Sequence, residues 1–504
     1  MKYLPTIGME IHLHLNTKSK MFCGCANTEL APPNTNICPI CTAQPGALPV
    51  INRQAVEWTA LLGLAVNGAI QPEFRFERKN YFYPDLPKGY QITSANHPPI
   101  VGGDIAVGGR KIRINHIHLE EDTGSLKHDS QGLPAAAGRG QGVTLVDLNR
   151  SGAPLLELVS EADMTNGWEA KTFCQELQLI VRTLGIADAD MEKGQMRCEV
   201  NISLRPDQQK EFGTKVEIKN LNSFRVVERS IDYEIERQGQ LLDTGEKVTQ
   251  ETRGWDEKKQ ATVSQRTKES SHDYRYFPEP DLPPLTCDQT HYEKLQAQLP
   301  ELPIAKRARF ETEYGFTAED ARLLTADAPL ASFTENTISE LQAWLVSLET
   351  VEGNPEEIWD KNKKKLIKLL GGWLTSELFK LINEANASMA ELKITPENFA
   401  EFITLVYQNK VNSTAAQKIL RMMFERGSDP SDIMNQEDLA QLDDSAEIAK
   451  IITRVIAENP DNVAKYRSGK TNVLQFFVGQ VMKETKGKAN PEMVQKLLIK
   501  TLKH

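Results

Sequence analysis

Residues 6–15 read TIGMEIHLHL, in which Ile7, Met9, Ile11, Leu13 and Leu15 alternate with Gly8, Glu10, His12 and His14. Successive side chains on a strand point to opposite faces, so this spacing predicts a β-strand with one aliphatic face and one face bearing an acid and two imidazoles. Three further stretches alternate in the same way: Lys111 to Leu119, Val143 to Leu148 and Lys215 to Leu221. Between them runs a helical period, with Phe173, Cys174, Leu177, Ile180, Val181 and Leu184 on one face and a stop at Gly185. Strands and helices mixed in this way, with short connections, predict an α+β fold built on a largely antiparallel sheet.

The strand-rich text lasts to about residue 290. Proline-rich residues from Pro278 to Pro284 mark a boundary there, and the chain then turns almost wholly helical. A second boundary is expected at Ile394–Pro396, where Thr395 and Pro396 suit the start of a helix. The expected division is 1–290, 291–394 and 395–504, in keeping with a chain of 504 residues. Residues 349–365, with Gly353, Pro355 and a lysine run, read as an exposed insertion.

Composition limits the function classes. No apolar run approaches the roughly 18 residues of a membrane helix, and residues 58–70 are broken by Asn67 and two glycines. The N-terminus enters the alternating pattern by Thr6 without a charged leader and apolar core, which predicts a cytoplasmic chain. A formal net charge of -10 argues against coating nucleic acid along the whole surface. Yet residues 461–504 hold nine Lys or Arg against three Asp or Glu, so an anionic partner would bind locally, at the C-terminal end. A solvated helix face is the competing reading of the same charges.

Cys23 and Cys25, then twelve residues, then Cys38 and Cys41 give two close thiol pairs with the spacing of a closed tetrahedral zinc site. Disulfides are the competitor; a reducing compartment favours zinc, in a structural role because four protein ligands leave no open position. Cys174, Cys198 and Cys287 are scattered and are expected to pack in cores.

A second histidine-rich strand places His116, His118 and Glu120 on one face and Ile117, Leu119 and Glu121 on the other, so Glu120 and Glu121 cannot both enter one site from a regular strand. Glu157 stands alone among aliphatics in PLLELV and needs a cation to offset its desolvation. Glu10, His12, one of Glu120 or Glu121, and Glu157 are therefore candidates to converge on a divalent ion, with oxygen ligands suiting magnesium. A sheet face of ordinary ion pairs is the alternative. No Walker sequence, ordered dinucleotide fingerprint, nucleophile elbow or Gly-Ser-rich amidase loop is present, and the Gly138, Gly140, Gly142 cluster reads as a loop. The chain is not expected to release ammonia from glutamine itself.

The most unusual text is FERKNYFYPDLPKGYQIT, Phe76 to Thr93, which gathers tyrosines, turn residues, Lys79 and Lys88 where a core would need aliphatics. This run, IGMEIH, LEEDTG (119–124), VDLNRSGAPLLELVSE (146–161), Met196–Ser203, KVEIKNLNSF (215–224), ETRGWD (251–256), Arg266–Asp281 and the tail around Phe476–Lys483 and 486–491 together resemble the B subunit of the tRNA-dependent amidotransferases.

That resemblance implies a cradle-shaped kinase and transamidase domain, a helical domain and a small helical tail that contacts tRNA. It implies ATP-dependent phosphorylation of the side-chain carboxylate of Asp-tRNA(Asn) or Glu-tRNA(Gln), followed by amidation with ammonia channelled from a separate amidase A subunit, with a small C subunit completing a heterotrimer. His12, Glu120 and Glu157 match the family's magnesium ligands. Glu10, Glu121, Lys79 and Lys88 match polar residues of the site and channel end, and Arg253 and the 266–281 run match substrate-domain signatures. The resemblance leaves the cysteine quartet to rest on its own spacing. Two other readings compete: a non-catalytic tRNA-binding scaffold with a zinc knuckle, and a free-standing carboxylate-amine ligase.

Overall fold

The computed structural model describes residues 3–28, 30–129, 143–267, 273–286, 288–347, 354–441, 445–485 and 487–503. Two compact units divide the chain, Met1–Ile304 and Ala305–His504. The Gly138–Gly142 cluster, Cys287 and residues 268–272 of the 266–281 run lie outside the described residues.

The first unit is organised by the strand that opens the chain, Tyr3–His14, which lies in the middle of a large sheet. On one side it pairs with Met196–Pro206, followed by Val216–Leu221, Glu251–Asp256 and Ala261–Thr267. On the other side come Pro154–Ser160, Arg110–Glu121, Tyr90–Thr93, Glu77–Asn80 and Phe277–Pro278. Along this path the described strands run antiparallel to their neighbours except Val216–Leu221 and Glu251–Asp256, which are parallel. The helix Phe224–Asp243 makes the crossover between them, as a parallel pair requires. The expected α+β class holds.

One sheet face is the core. Ile7, Met9, Ile11 and Leu13 are at most 1% exposed and share a cluster with Phe173, Cys174, Leu177, Val181, Val227 and Ile231. Each such side chain contributes roughly 1.5–3 kcal/mol by leaving water, which fixes the strand's register, because a slip of one residue would turn the aliphatics outward. The expected helix runs Gly167–Thr183, capped by Asn166 and ended at Gly185 with φ +69°. Gly167 sits where a Cβ would come within 2.5 Å of the Glu228 carbonyl oxygen, so its helix and Phe224–Asp243 can approach closely there. With the core face filled by aliphatics and these helices, Glu10, His12 and His14 are left to the opposite face.

In the second unit, one apolar core runs from Phe310 to Ile433 and a smaller one from Ile448 to Leu502. Thr395 caps the helix Pro396–Tyr407 by accepting from the Asn398 N–H, as expected. That helix packs against Ala328–Ser347, so the elements flanking residue 395 share one core. The insertion expected at 349–365 is corrected for its described part: Asn354 and Pro355 start a helix, Pro355–Gly372, that buries Ile358, Leu366 and Ile367. The proline there is a first-turn residue rather than a loop marker. No helix among the described residues is long and apolar enough to cross a membrane.

Candidate active site

Strand register builds the site. His12 stands opposite Glu157 across one ladder, and Glu157 stands opposite His118 across the next. Directly opposed residues share a face, so these three side chains form a row, with Glu120 two positions beyond His118 on the same face. The His12 Nε2 atom lies 3.2 Å from Glu157 and 3.5 Å from Glu120, and His118 Nε2 lies 3.2 Å from Glu157. One donor atom each from His12, Glu120 and Glu157 falls within 4.8 Å of the others.

The imidazoles and carboxylates of this row shift one another. Burial alone would lower the His118 imidazole, but Glu157 and Glu120 outweigh it and push it up to about 9; His12 is raised by the same balance. Burial would raise Glu157, yet the two imidazoles hold it well below the carboxylate range. Glu120 Oε2 is buried without a hydrogen-bond donor. A donor set of two carboxylates and an imidazole, with one orphaned carboxylate oxygen, fits a divalent cation.

Lys79 and Glu10 flank this group. The Phe76–Thr93 run is a hairpin in which Lys79 pairs with Gln91 and Gly89 turns the chain at φ +74°. The Lys79 ammonium lies 5.1 Å from the Tyr274 ring centre; burial would lower it, and Glu120, Tyr276 and Glu157 raise it instead. Arg78 ties the hairpin to the 277–279 segment through a bidentate pair with Glu279 at 2.7 and 2.8 Å. Glu10 belongs to a neighbouring trio with Glu199 and Glu217, bridged by Lys219 to both of the latter. Burial, followed by Glu157, raises the Glu10 carboxyl.

Glu121 and Lys88 are not part of this group. Glu121 points to the other side of its strand and accepts from the Lys88 ammonium at 2.5 and 2.6 Å and from the Ile92 N–H at 3.0 Å. The strand parity that separates Glu120 from Glu121 is thus kept to the strand's last residue.

The four cysteines of the knuckle come together, each offering sulfur within 4.8 Å of the rest, and none is in a disulfide. Cys38 and Cys41 sulfurs are 3.8 Å apart, which is the edge of a tetrahedron with legs of about 2.3 Å, the zinc–sulfur distance. Lys20 is 1% exposed, and its ammonium meets Cys41 Sγ at 3.7 Å and the Asn36 carbonyl at 3.0 Å. A buried ammonium beside sulfur suits a thiolate cluster of net negative charge. Cys174 and Cys198 are buried in the core, as expected.

Residues 5–293 match the family described as GatB/GatE catalytic domain, and residues 356–502 match the GatB domain. The chain belongs to the GatB family. It is 44% identical over 507 positions to the B subunit of the aspartyl/glutamyl-tRNA(Asn/Gln) amidotransferase of Rippkaea orientalis, covering 99% of this chain and 97% of that protein. The proteins of the same name from Thermotoga maritima and Thermodesulfovibrio yellowstonii are each 42% identical over 507 positions, covering 100% of this chain and 99% and 100% of theirs.

Several polar residues of this GatB-family face escape a reading of the sequence alone. Asp122 is buried and gathers His14 at 2.8 Å, Arg197 at 3.0 Å and Arg150 at 3.3 Å. Against the cost of burial, Arg197 and the other two hold its carboxyl far below the usual range. Glu199 and Glu217 alternate with apolar residues on their strands, the same signal that marks Glu10, and parity could have found them. The Arg253 side chain is 12% exposed and pairs with Glu234 at 3.0 Å and Glu251 at 2.5 Å.

Proposed function

We propose that this chain carries the ATP-dependent transamidation of Asp-tRNA(Asn), Glu-tRNA(Gln) or both, in the cytoplasm, as the B subunit of a heterotrimer with an amidase A subunit and a small C subunit. The names of its GatB-family relatives support that reading. Within the structure it rests on one observation above the rest: the buried convergence of His12, Glu120 and Glu157 beside Lys79.

A carboxylate is a poor acyl donor until one oxygen becomes a leaving group. Phosphoryl transfer from ATP forms a bond from a substrate carboxylate oxygen to the γ-phosphorus and breaks the bond to the bridging oxygen of ADP. Ammonia then attacks the acyl carbon, phosphate leaves, and the nitrogen gives up a proton to water. Magnesium held by His12, Glu120 and Glu157 supplies charge screening for the phosphates.

Lys79, kept charged by the glutamates below it, orients an anionic group over that face. Glu10, raised by burial and by Glu157, would exchange a proton with incoming ammonia, and the Lys88–Glu121 pair would line its path. The quartet Cys23, Cys25, Cys38 and Cys41 holds a structural zinc ion. The tail beyond residue 445, which includes the whole basic surplus of residues 461–504, contacts tRNA.

The test is amidation of each charged tRNA by the chain co-purified with its partners, supplied with ATP, magnesium and ammonium chloride. Product that requires ATP is expected. No product from a correctly assembled complex would return the chain to the scaffold reading.

A further inference from the structure

We propose that Arg197 is the anion clamp of this site, binding an oxygen of the phosphoryl group in flight, and that Asp122 is its positioning residue. The inference deepens the function proposed above and rests on it.

Arg197 faces His12 directly across the ladder between Tyr3–His14 and Met196–Pro206. Opposed residues share a face, so its guanidinium emerges beside the His12, Glu120 and Glu157 group. Glu120 and Glu199 are, after Asp122, the charges that act on it. The side chain is 38% exposed, unlike the buried Asp122 at 5%. It is thus fixed at one end and open to the site at the other.

The charge balance leaves a surplus. One carboxylate, Asp122, serves both Arg150 and Arg197 as well as His14. Arg150 donates from Nε, the atom nearest Asp122, to the Thr123 carbonyl at 3.2 Å and from Nη2 to the Gly124 carbonyl at 2.9 Å, so it is committed to holding the LEEDTG turn. Arg197 has no such acceptor: among the described residues Asp122 is its one ion-pair partner. Its remaining N–H groups form a planar fork suited to two oxygens of one phosphoryl group.

With Lys79 approaching the same face from the hairpin, cations stand on two sides of the acidic group. During the transfer written above, negative charge spreads over the equatorial oxygens between the entering carboxylate and the departing ADP. A fixed guanidinium neutralises that charge without moving, because Asp122, itself held by His14 and Arg150, has already oriented it. No proton is transferred by Arg197.

The experiment measures ADP formation and amide formation on charged tRNA by the assembled complex, comparing wild type with Arg197→Ala, Arg197→Lys and Asp122→Asn. Arg197→Ala is expected to lose roughly 10³-fold in the rate of ADP formation at saturating ATP and tRNA. Guanidinium chloride at millimolar concentration is expected to restore part of that rate, which a purely structural arginine would not show.

Arg197→Lys keeps the charge and the Asp122 pair while losing the fork, and is expected to fall by about 10- to 100-fold. It carries the test if the alanine variant melts early. Asp122→Asn is expected to fall by a similar 10- to 100-fold, as for loss of a positioning partner. Full ADP formation by both arginine variants, or a loss confined to KM for charged tRNA, overturns the clamp. A wild-type complex that forms amide without consuming ATP overturns the reaction itself, and the two failures are told apart by the wild-type lane.

Discussion

Arg253 lies in the stretch ETRGWD, within the part of the chain that matches the family's catalytic domain, and its surroundings argue for a stabilising role that can be measured. Its Nε and Nη1 atoms meet Glu234 and Glu251 at 3.0 and 2.5 Å, and its Nη2 donates to the Thr262 carbonyl at 2.8 Å. Glu234 is wholly buried, with Arg237 as its other cation at 2.8 Å. The helix Phe224–Asp243 is thereby clamped to the strand Glu251–Asp256 that it leads into.

Arg253→Ala leaves two carboxylates sharing one arginine in a place with little water. Removing one partner of a buried pair costs roughly 3–5 kcal/mol. At roughly 2 °C per kcal/mol for a unit of this size, the first calorimetric transition should fall by about 6–10 °C at pH 7.

The pH dependence has a sign. Burial would raise Glu234, but hydrogen bonds from Arg237 and Thr262 and the Arg237 charge lower it below 4.5. A depressed carboxylate stabilises above its unfolded pKa and loses that contribution as pH falls through its folded value. The stability that Glu234 contributes should therefore be full near neutrality and be lost as pH falls below 4.5, in wild type and in Arg253→Ala alike, since Arg237 and Thr262 remain in both. A shift under about 2 °C, with ATP-dependent turnover lost, would refute the reasoning and move Arg253 to the substrate.

Three further outcomes are expected. Glu157→Gln removes the charge that both His12 and His118 face at 3.2 Å, and should lower ATP-dependent amidation by a hundredfold or more, read with ammonium chloride as nitrogen source. Cys41→Ser should reduce bound zinc from about one per chain to near zero, counted by chelator absorbance, and should leave Lys20 without its sulfur partner. Deleting residues 445–504 should weaken tRNA binding and flatten its salt dependence, measured by filter binding across a salt series. A shorter deletion from 461 is the poorer test, because it would strip Phe477, Val481 and Leu498 from a core shared with Ile448 and Ile452.

Local pattern makes much of this fold legible. Alternation in TIGMEIHLHL sets the central strand and its two faces, and parity alone separates Glu120 from Glu121. What local pattern does not carry is register between distant strands. His118 reads as one of several histidines until the ladder with Pro154–Ser160 places it against Glu157. Arg197 and Asp122 meet only because the strand from 196 lies against the first strand. Lys20 looks like any surface lysine in NTKSK, and only the packing of the knuckle buries it. The helix at 355–372 is hidden because proline and glycine near a helix start carry the same letters as a loop.

The central position of the first strand has a consequence for synthesis. Tyr3–His14 leaves the ribosome well before the strands its two ladders need, Pro154–Ser160 and Met196–Pro206. At roughly 5–20 residues per second, the second of these appears about 10–40 s later. Through that interval Ile7, Met9, Ile11 and Leu13 have no partner sheet, and an aliphatic strand with open edges is a template for pairing with other nascent chains. The strand that carries His12 into the site is thus also the one whose apolar face waits longest for its partners while the chain is being made.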